Sequence, residues 1–423
     1  MKRLLIALLA LVVAACSSGG DTGNFTEPTD RLEVLSWWVS PSERPAFQSL
    51  VDAFTAANPQ VSVIDNTISG GAGANMQVTL ASRLVAKDLP DVWQTLVGTS
   101  VRGWADAGHI VDVSDIVTET GLANTMPQPL LDSLTAGGKQ WGVPTGAHRG
   151  NNLWFNLHAL ARAGIAPPQA GYTADQFSAD LRGAAGAGVT PLCLGAKDRF
   201  AAVELFENTL LSVIGADGWS RIAADKFDWS GPEVREALGR FADYVDHADP
   251  KARDLGWSEA AGKLARGECA FLVMNDSVYG ELTAGHVTDG VDFGRAAFPG
   301  TDSYYIAIVD AFVAAKTARN GVNALKFLRT IADPATNLAF NKLKGSVPVR
   351  ADVDTSSLPP YQRAASQALW HDTILLSMAT AELGSPAFQQ GLYDAVYAYL
   401  GSHNERAFID TVQNSVTVPI AGR

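Results

Sequence analysis

Residues 32–64 place the tightest constraint on what this chain can fold into. Leu32-Glu33-Val34-Leu35-Ser36 reads as a short strand. Glu43 to Ala57 is predicted as a helix: Phe47, Leu50, Val51 and Phe54 fall on one face, and Asn58-Pro59 stops it. Val61 to Ile64 returns as a strand. Strand, helix and strand in so short a stretch make a βαβ unit, and such units build parallel sheets. A Gly-rich loop, Ser69 to Asn75, leads into a helix at Met76 to Ala86 and a strand at Asp91 to Thr95. The alternation persists through a strand near Leu192, a helix at Glu233 to Val245, and strands at Ala270 to Met274 and Tyr305 to Ala314. Helices are expected near Asn320 to Ile331, Pro334 to Leu343, Pro360 to His371, Pro386 to Leu400 and Glu405 to Asn414. The predicted class is α/β, with extra helices towards the C-terminus.

A chain of 423 residues with 47% hydrophobic content can bury two or three domains' worth of core. Candidate crossings between lobes are Gly142 to Ala147, Phe298 to Ser303 and Gly345 to Pro348. Three crossings between two α/β lobes predict a hinged clamshell with its cleft at the carboxyl ends of strands. The expected division assigns residues 31–143 with 304–345 to one lobe and 147–300 with 349–423 to the other.

The N-terminus carries an address. Lys2 and Arg3 precede an apolar run from Leu4 to Val13, too short to span a bilayer's hydrocarbon of roughly 30 Å, so residues 1–15 read as a signal peptide. Val13-Ala14-Ala15-Cys16 matches a bacterial lipobox, in which the Cys16 thiol takes a diacylglyceryl thioether. Residues 16–30, rich in Ser, Gly, Thr and Asp, suit a flexible tether. The expected location is the outer face of the bacterial cytoplasmic membrane, reached through a lipid anchor alone. A net charge of −12 argues against nucleic acid as a partner. Export would permit a disulfide between Cys193 and Cys269, but two separate buried thiols are the expectation, because adjacent strand residues seldom offer bridging geometry.

Motifs for catalysis are missing. None of the seven His has the H-x-x-x-H spacing of a helical zinc site, and there is no G-x-S-x-G elbow and no Cys-x-x-Cys pair. The loop Ser69 to Asn75 lacks the Gly-Lys-Ser/Thr ending of a phosphate-binding loop. No metal or cofactor is expected. Aromatic placement is the stronger signal: Trp37-Trp38 directly follows the first strand, where α/β sheets present ligand contacts. Both indoles read equally as core fillers, or as flat surfaces for the C–H face of a sugar ring whose hydroxyls need matched polar partners.

Several ordered segments together resemble a known family, the solute-binding lipoproteins of sugar ABC importers (extracellular solute-binding protein family 1), in particular its glucose- and mannose-binding branch. They include Leu35-Ser36-Trp37-Trp38, Gly70-Gly71-Ala72-Gly73-Ala74-Asn75, Leu89-Pro90-Asp91-Val92-Trp93-Gln94 and His148-Arg149-Gly150-Asn151-Asn152. Further on come Leu255-Gly256-Trp257, Ala270 to Asp276, Phe298-Pro299-Gly300-Thr301 and Leu343-Lys344-Gly345-Ser346. The resemblance implies two lobes that close on a sugar, a monomer, and delivery to permease subunits. It also implies ligand contacts at Trp37, Trp38, Glu43, Gln94, Trp257, Asp276 and Lys344, with His148 and Asn152 lining the cleft at a crossing. Each residue also has an ordinary role open to it: Trp257 in a core, Asp276 as a helix N-cap, Glu43 in the first turn of its helix, Lys344 in solvent. Two positions depart from the glucose-binding pattern, Leu96 and Thr380, each standing where that branch has a ligand-touching His. A different hexose, a disaccharide or another polyol would fit. An exported carbohydrate-active hydrolase using Glu43 and Asp276, or a receptor for a polyamine, are the competing readings.

Overall fold

The computed structural model describes residues 25–70 and 73–416. The signal peptide, Cys16 and most of the tether lie outside these residues. Two sheets organise the chain into two lobes. The larger has six strands; along it run Thr373–Leu376, Tyr304–Ala314, Val92–Leu96, Arg31–Leu35 and Ser62–Asp65, with Val143–Arg149 also paired to Tyr304–Ala314. The expected βαβ unit is there: Arg31–Leu35 and Ser62–Asp65 pair in parallel, joined by the helix Glu43–Ala57. That helix buries Phe47, Leu50 and Phe54, the stripe its spacing implies.

The second sheet has the order Phe293–Ala297, Asn152–Asn156, Cys269–Val273, Thr190–Cys193. It is mostly antiparallel; only Thr190–Cys193 and Cys269–Val273 run parallel. Alternation along its strands splits the core. Trp154 and Leu272 pack with the first lobe's cluster, whereas Leu153, Phe155, Phe271 and Val273 face a separate cluster beneath helices Arg199–Ala223, Pro232–Asp246 and Pro386–Ser402.

Cys193 and Cys269 are joined in a disulfide, which corrects the expectation of two separate thiols. Their Cα atoms stand 5.7 Å apart, inside the bridging range.

Three chain segments lie side by side where the lobes meet. Tyr304–Ala314 pairs antiparallel with Val143–Arg149, and Val347 exchanges both backbone hydrogen bonds with Ala147, at 2.8 and 3.0 Å. Past Arg149 the chain turns straight into the second sheet at Asn152. No helix among the described residues is long and apolar enough to cross a membrane.

Candidate functional site

The carboxyl end of strand Arg31–Leu35 delivers Ser36, Trp37 and Trp38 to the gap between the lobes. Gln94, at the neighbouring strand Val92–Leu96, fixes this corner. Its Oε1 accepts from Ser36 Oγ (2.7 Å) and the Trp37 amide (3.1 Å), and its Nε2 donates to Asp310 Oδ1 (2.8 Å). The two indoles then divide the roles left open for them. Trp38 is fully buried among Phe47, Phe312 and Phe340, with the Lys344 ammonium over its ring 5.7 Å from the centroid. Trp37 lies against the Gly-rich loop, where a Cβ on Gly73 would meet its ring at 2.8 Å. Gly73 also has φ of +93°, so glycine is required there twice over.

Lys344 is the electrostatic centre. It ends helix Pro334–Lys344, capped by Gly345, and is 1% exposed. Its ammonium approaches Glu43 Oε1 at 3.2 Å, His148 Nε2 at 3.1 Å and Ser277 Oγ at 3.3 Å. Accepting from Lys344 at Nε2 leaves His148 its Nδ1 proton, which it donates to Asp276 Oδ1 at 2.5 Å. The other Asp276 oxygen accepts from the Arg149 amide (3.1 Å) and the Tyr361 hydroxyl (2.7 Å). Asp276 occupies the N-cap position of helix Ser277–Ala284 without capping it, because its carboxylate is turned to these partners.

A cavity of about 390 Å³ opens over this cluster. Trp37, Trp38, Glu43, His148, Trp257 and Lys344 line it; Gln94, Asn152 and Asp276 stand behind its wall. Asn152 spends its amide nitrogen on the Arg149 carbonyl (2.7 Å) and Tyr361 (3.3 Å). Glu43 and Asp276 therefore do not face one another across the cavity, as a pair of hydrolytic acids would. Trp257 begins helix Trp257–Ala265, and its amide donates to Asp198 Oδ2 at 2.9 Å. Its indole is half-buried on the cavity wall, packed against the cluster that also holds Trp37.

Sequence reasoning missed Asp310, Asn275 and Ser277, all on the cavity wall. Asp310 had a signal: it is the only charged side chain in the strand Tyr304–Ala314. Asn275 is held from behind by Glu204, whose carboxylate accepts from its amide (2.9 Å) and its side chain (2.6 Å). Glu207 likewise grips Ser377, Met378 and Ala379, and Glu382 accepts from Thr380 and the Val309 amide. Burial, with Glu207 nearby, pushes the Glu204 carboxyl up to about 8; burial pushes Glu207 up to about 7 and Glu382 well above its ordinary value. No group of three or more metal-ligating side chains is gathered among the described residues.

A second interlobe contact lies beside the cavity. Glu281, on helix Ser277–Ala284, accepts at Oε1 from Ser40 Oγ (2.7 Å), Ser42 Oγ (2.7 Å) and the Ser42 amide (3.1 Å). Its Oε2 accepts from Ser258 Oγ at 2.8 Å.

Residues 40–338 match the family model of the bacterial extracellular solute-binding proteins. The chain is 28% identical over 363 residues to an uncharacterized ABC transporter extracellular-binding protein of Pyrococcus horikoshii, covering 85% of this chain and 81% of that one. It is 27% identical over 401 residues to a probable sugar-binding periplasmic protein of Brucella melitensis, covering 93% of each. Among solved structures, a chitin oligosaccharide binding protein superposes with a TM-score of 0.80 at 20% identity, over 91% of this chain and 98% of that one. With a two-lobe fold, a cavity between the lobes and a match that spans both, the chain belongs to the bacterial extracellular solute-binding proteins.

Proposed function

We propose that this protein is the sugar-capturing component of an ABC importer, anchored through Cys16 to the outer face of the cytoplasmic membrane, where it hands its ligand to permease subunits as a monomer. The observation that carries the reading is the pairing, around one cavity, of half-buried indole with a set of buried polar groups. Indole supplies an apolar surface for the C–H face of a pyranose. Glu43, Asp310 and Asn275 accept hydroxyl protons and Asn275 also donates, while Lys344, its three N–H groups turned to Glu43, His148 and Ser277, holds these groups in place. Glu43 is paired with Lys344 and Asp310 accepts from the Gln94 amide, so the wall suits a neutral polyol better than a polyamine or a phosphorylated sugar. Similarity to a probable sugar-binding periplasmic protein over 93% of both chains supports the same class. Gln94, Asp276 and Asn152 hold the contact residues in place from behind. The three paired segments at 143–149, 304–314 and 345–348 act as the hinge.

A thermal-shift screen over neutral sugars, polyols, polyamines and sugar phosphates, followed by calorimetry, tests this. Ligand at 100 times its Kd adds about 2.7 kcal/mol of stability. A neutral sugar should raise Tm by several degrees without any new reducing ends forming. Turnover of an oligosaccharide, or shifts with polyamines alone, would overturn the reading.

A further inference from the structure

The cavity over Lys344 does not end at its rim. Trp37, Leu96, Lys197, Phe200 and Thr380 line it and also line a second cavity of about 820 Å³, roughly twice its size. The far wall of this second space comes from two elements that take no part in the lining of the first. Helix Thr99–Asp106 brings Gly103 and Trp104, and helix Pro386–Ser402 brings Gln389, Gln390 and Tyr393.

Its chemistry repeats that of the first cavity. Trp104 is held edge-on to Trp93 with centroids 5.1 Å apart, and remains half-buried beside the space. Tyr393 is fixed by donating to the Ala379 carbonyl at 2.6 Å, which leaves its ring as a rigid apolar surface. Gln77 and Gln390 supply amides at the margin. Arg199 on this wall is already paired with Asp394 at 2.5 Å, and no carboxylate lines the cavity. Rigid aromatic surface and amides are what a sugar unit requires, and the cations at this wall, Arg199 paired with Asp394 and Lys197 exposed, leave no buried charge for it to meet. Between the two spaces stand Leu96 and Thr380. Thr380 turns its hydroxyl back to Glu382, so neither side chain reaches out to divide the cavities with a polar contact.

We propose that the second cavity is a subsite continuous with the first, so that the ligand is a neutral oligosaccharide of two or more units lying past Leu96 and Thr380, and not a single hexose. This inference rests on the sugar-binding reading and specifies its substrate class. Gly103 offers a clean test, since a Cβ built there meets no atom within 4 Å and the residue is exposed in a helix. Gly103→Phe fills the second cavity alone, and Gly103→Ala controls for the loss of glycine.

Calorimetry would compare glucose, galactose, mannose and xylose with cellobiose, maltose, cellotriose, maltotriose and raffinose. At least one oligosaccharide should bind about tenfold or more tightly than the monosaccharides. Gly103→Phe should weaken that oligosaccharide by about tenfold, with Gly103→Ala near wild type and the Tm of both retained. Equal affinity for mono- and oligosaccharides, or oligosaccharide binding that Gly103→Phe leaves intact, overturns the inference while the sugar-binding reading stands. Binding by no sugar at all overturns both.

Discussion

Trp257 and Lys344 line the same cavity but do opposite kinds of work, and substitution should separate them. Trp257 is half-buried on the cavity wall. Trp257→Ala should therefore cost about 1–3 kcal/mol of ligand affinity, read by calorimetry, with little change in Tm. Unchanged affinity would remove it from the site. Lys344 is buried against Glu43 and His148. Removing it leaves the Glu43 carboxylate without its buried cation, so Lys344→Met should destabilise the empty protein by about 3–5 kcal/mol in denaturant unfolding. A variant as stable as wild type would mean that water already serves Glu43. The sequence could point to these two through the resemblance of Leu255-Gly256-Trp257 and Leu343-Lys344-Gly345-Ser346 to the sugar-importer family. It could not show that Asp276 and Gln94 are held by other side chains behind the cavity wall. Their partners lie far away in the chain: His148 is 128 residues from Asp276, and Asp310 is 216 from Gln94. A polar side chain at a strand end looks the same whether it meets a sugar or another residue.

Element by element, what could be read in advance followed the punctuation. Glu43–Ala57 and Pro360–His371 came out with the expected bounds because a proline stands at one end of each. The helix Arg199–Ala223 was not foreseen. Its first three turns are buried on every side, so no polar stripe marks a period, and Gly215 breaks it with φ 58°, ψ −169°. That unforeseen helix carries Glu204 and Glu207, which makes it a pH-sensitive element. Both carboxyls have folded pKa values raised above the ordinary 4.5. The folded state thus binds their protons more tightly than the unfolded chain does. Their contribution to stability is full below about pH 4.5 and falls as pH rises towards 8. Calorimetric Tm should decline across that window, and a Glu204→Gln/Glu207→Gln variant should show a flatter profile. An equally steep decline in the variant would assign the dependence elsewhere, to Glu382 first of all.

At the scale of the whole molecule, the question is what holds the two lobes against one another. Ser40 and Ser42 follow the first strand of the six-stranded sheet; Glu281 and Ser258 belong to helices on either side of Cys269–Val273 in the other sheet. One carboxylate therefore ties the two lobes by three hydrogen bonds from Ser40 and Ser42, on a residue only 9% exposed. Helix Ser277–Ala284 comes so close here that a Cβ on Gly280 would meet Ser42 Cβ at 2.9 Å and the Lys344 carbonyl at 2.6 Å. Bonds to a charged acceptor contribute roughly 1.5–3 kcal/mol each when desolvated, and open lobes would let water replace them. Glu281 itself lies outside the cavity's wall, although its partners Ser40 and Ser258 belong to it. It should therefore act on the closed population alone, and apparent affinity scales with that population. Glu281→Ala should expand the ligand-free protein in solution scattering, and saturating ligand should restore the compact form. Its Kd should rise about tenfold to a hundredfold, with the loss appearing mainly as faster dissociation. If scattering and Kd both match wild type, the closed form is held by the hinge strands and the Lys344 cluster, and Glu281 is only a bystander at the seam.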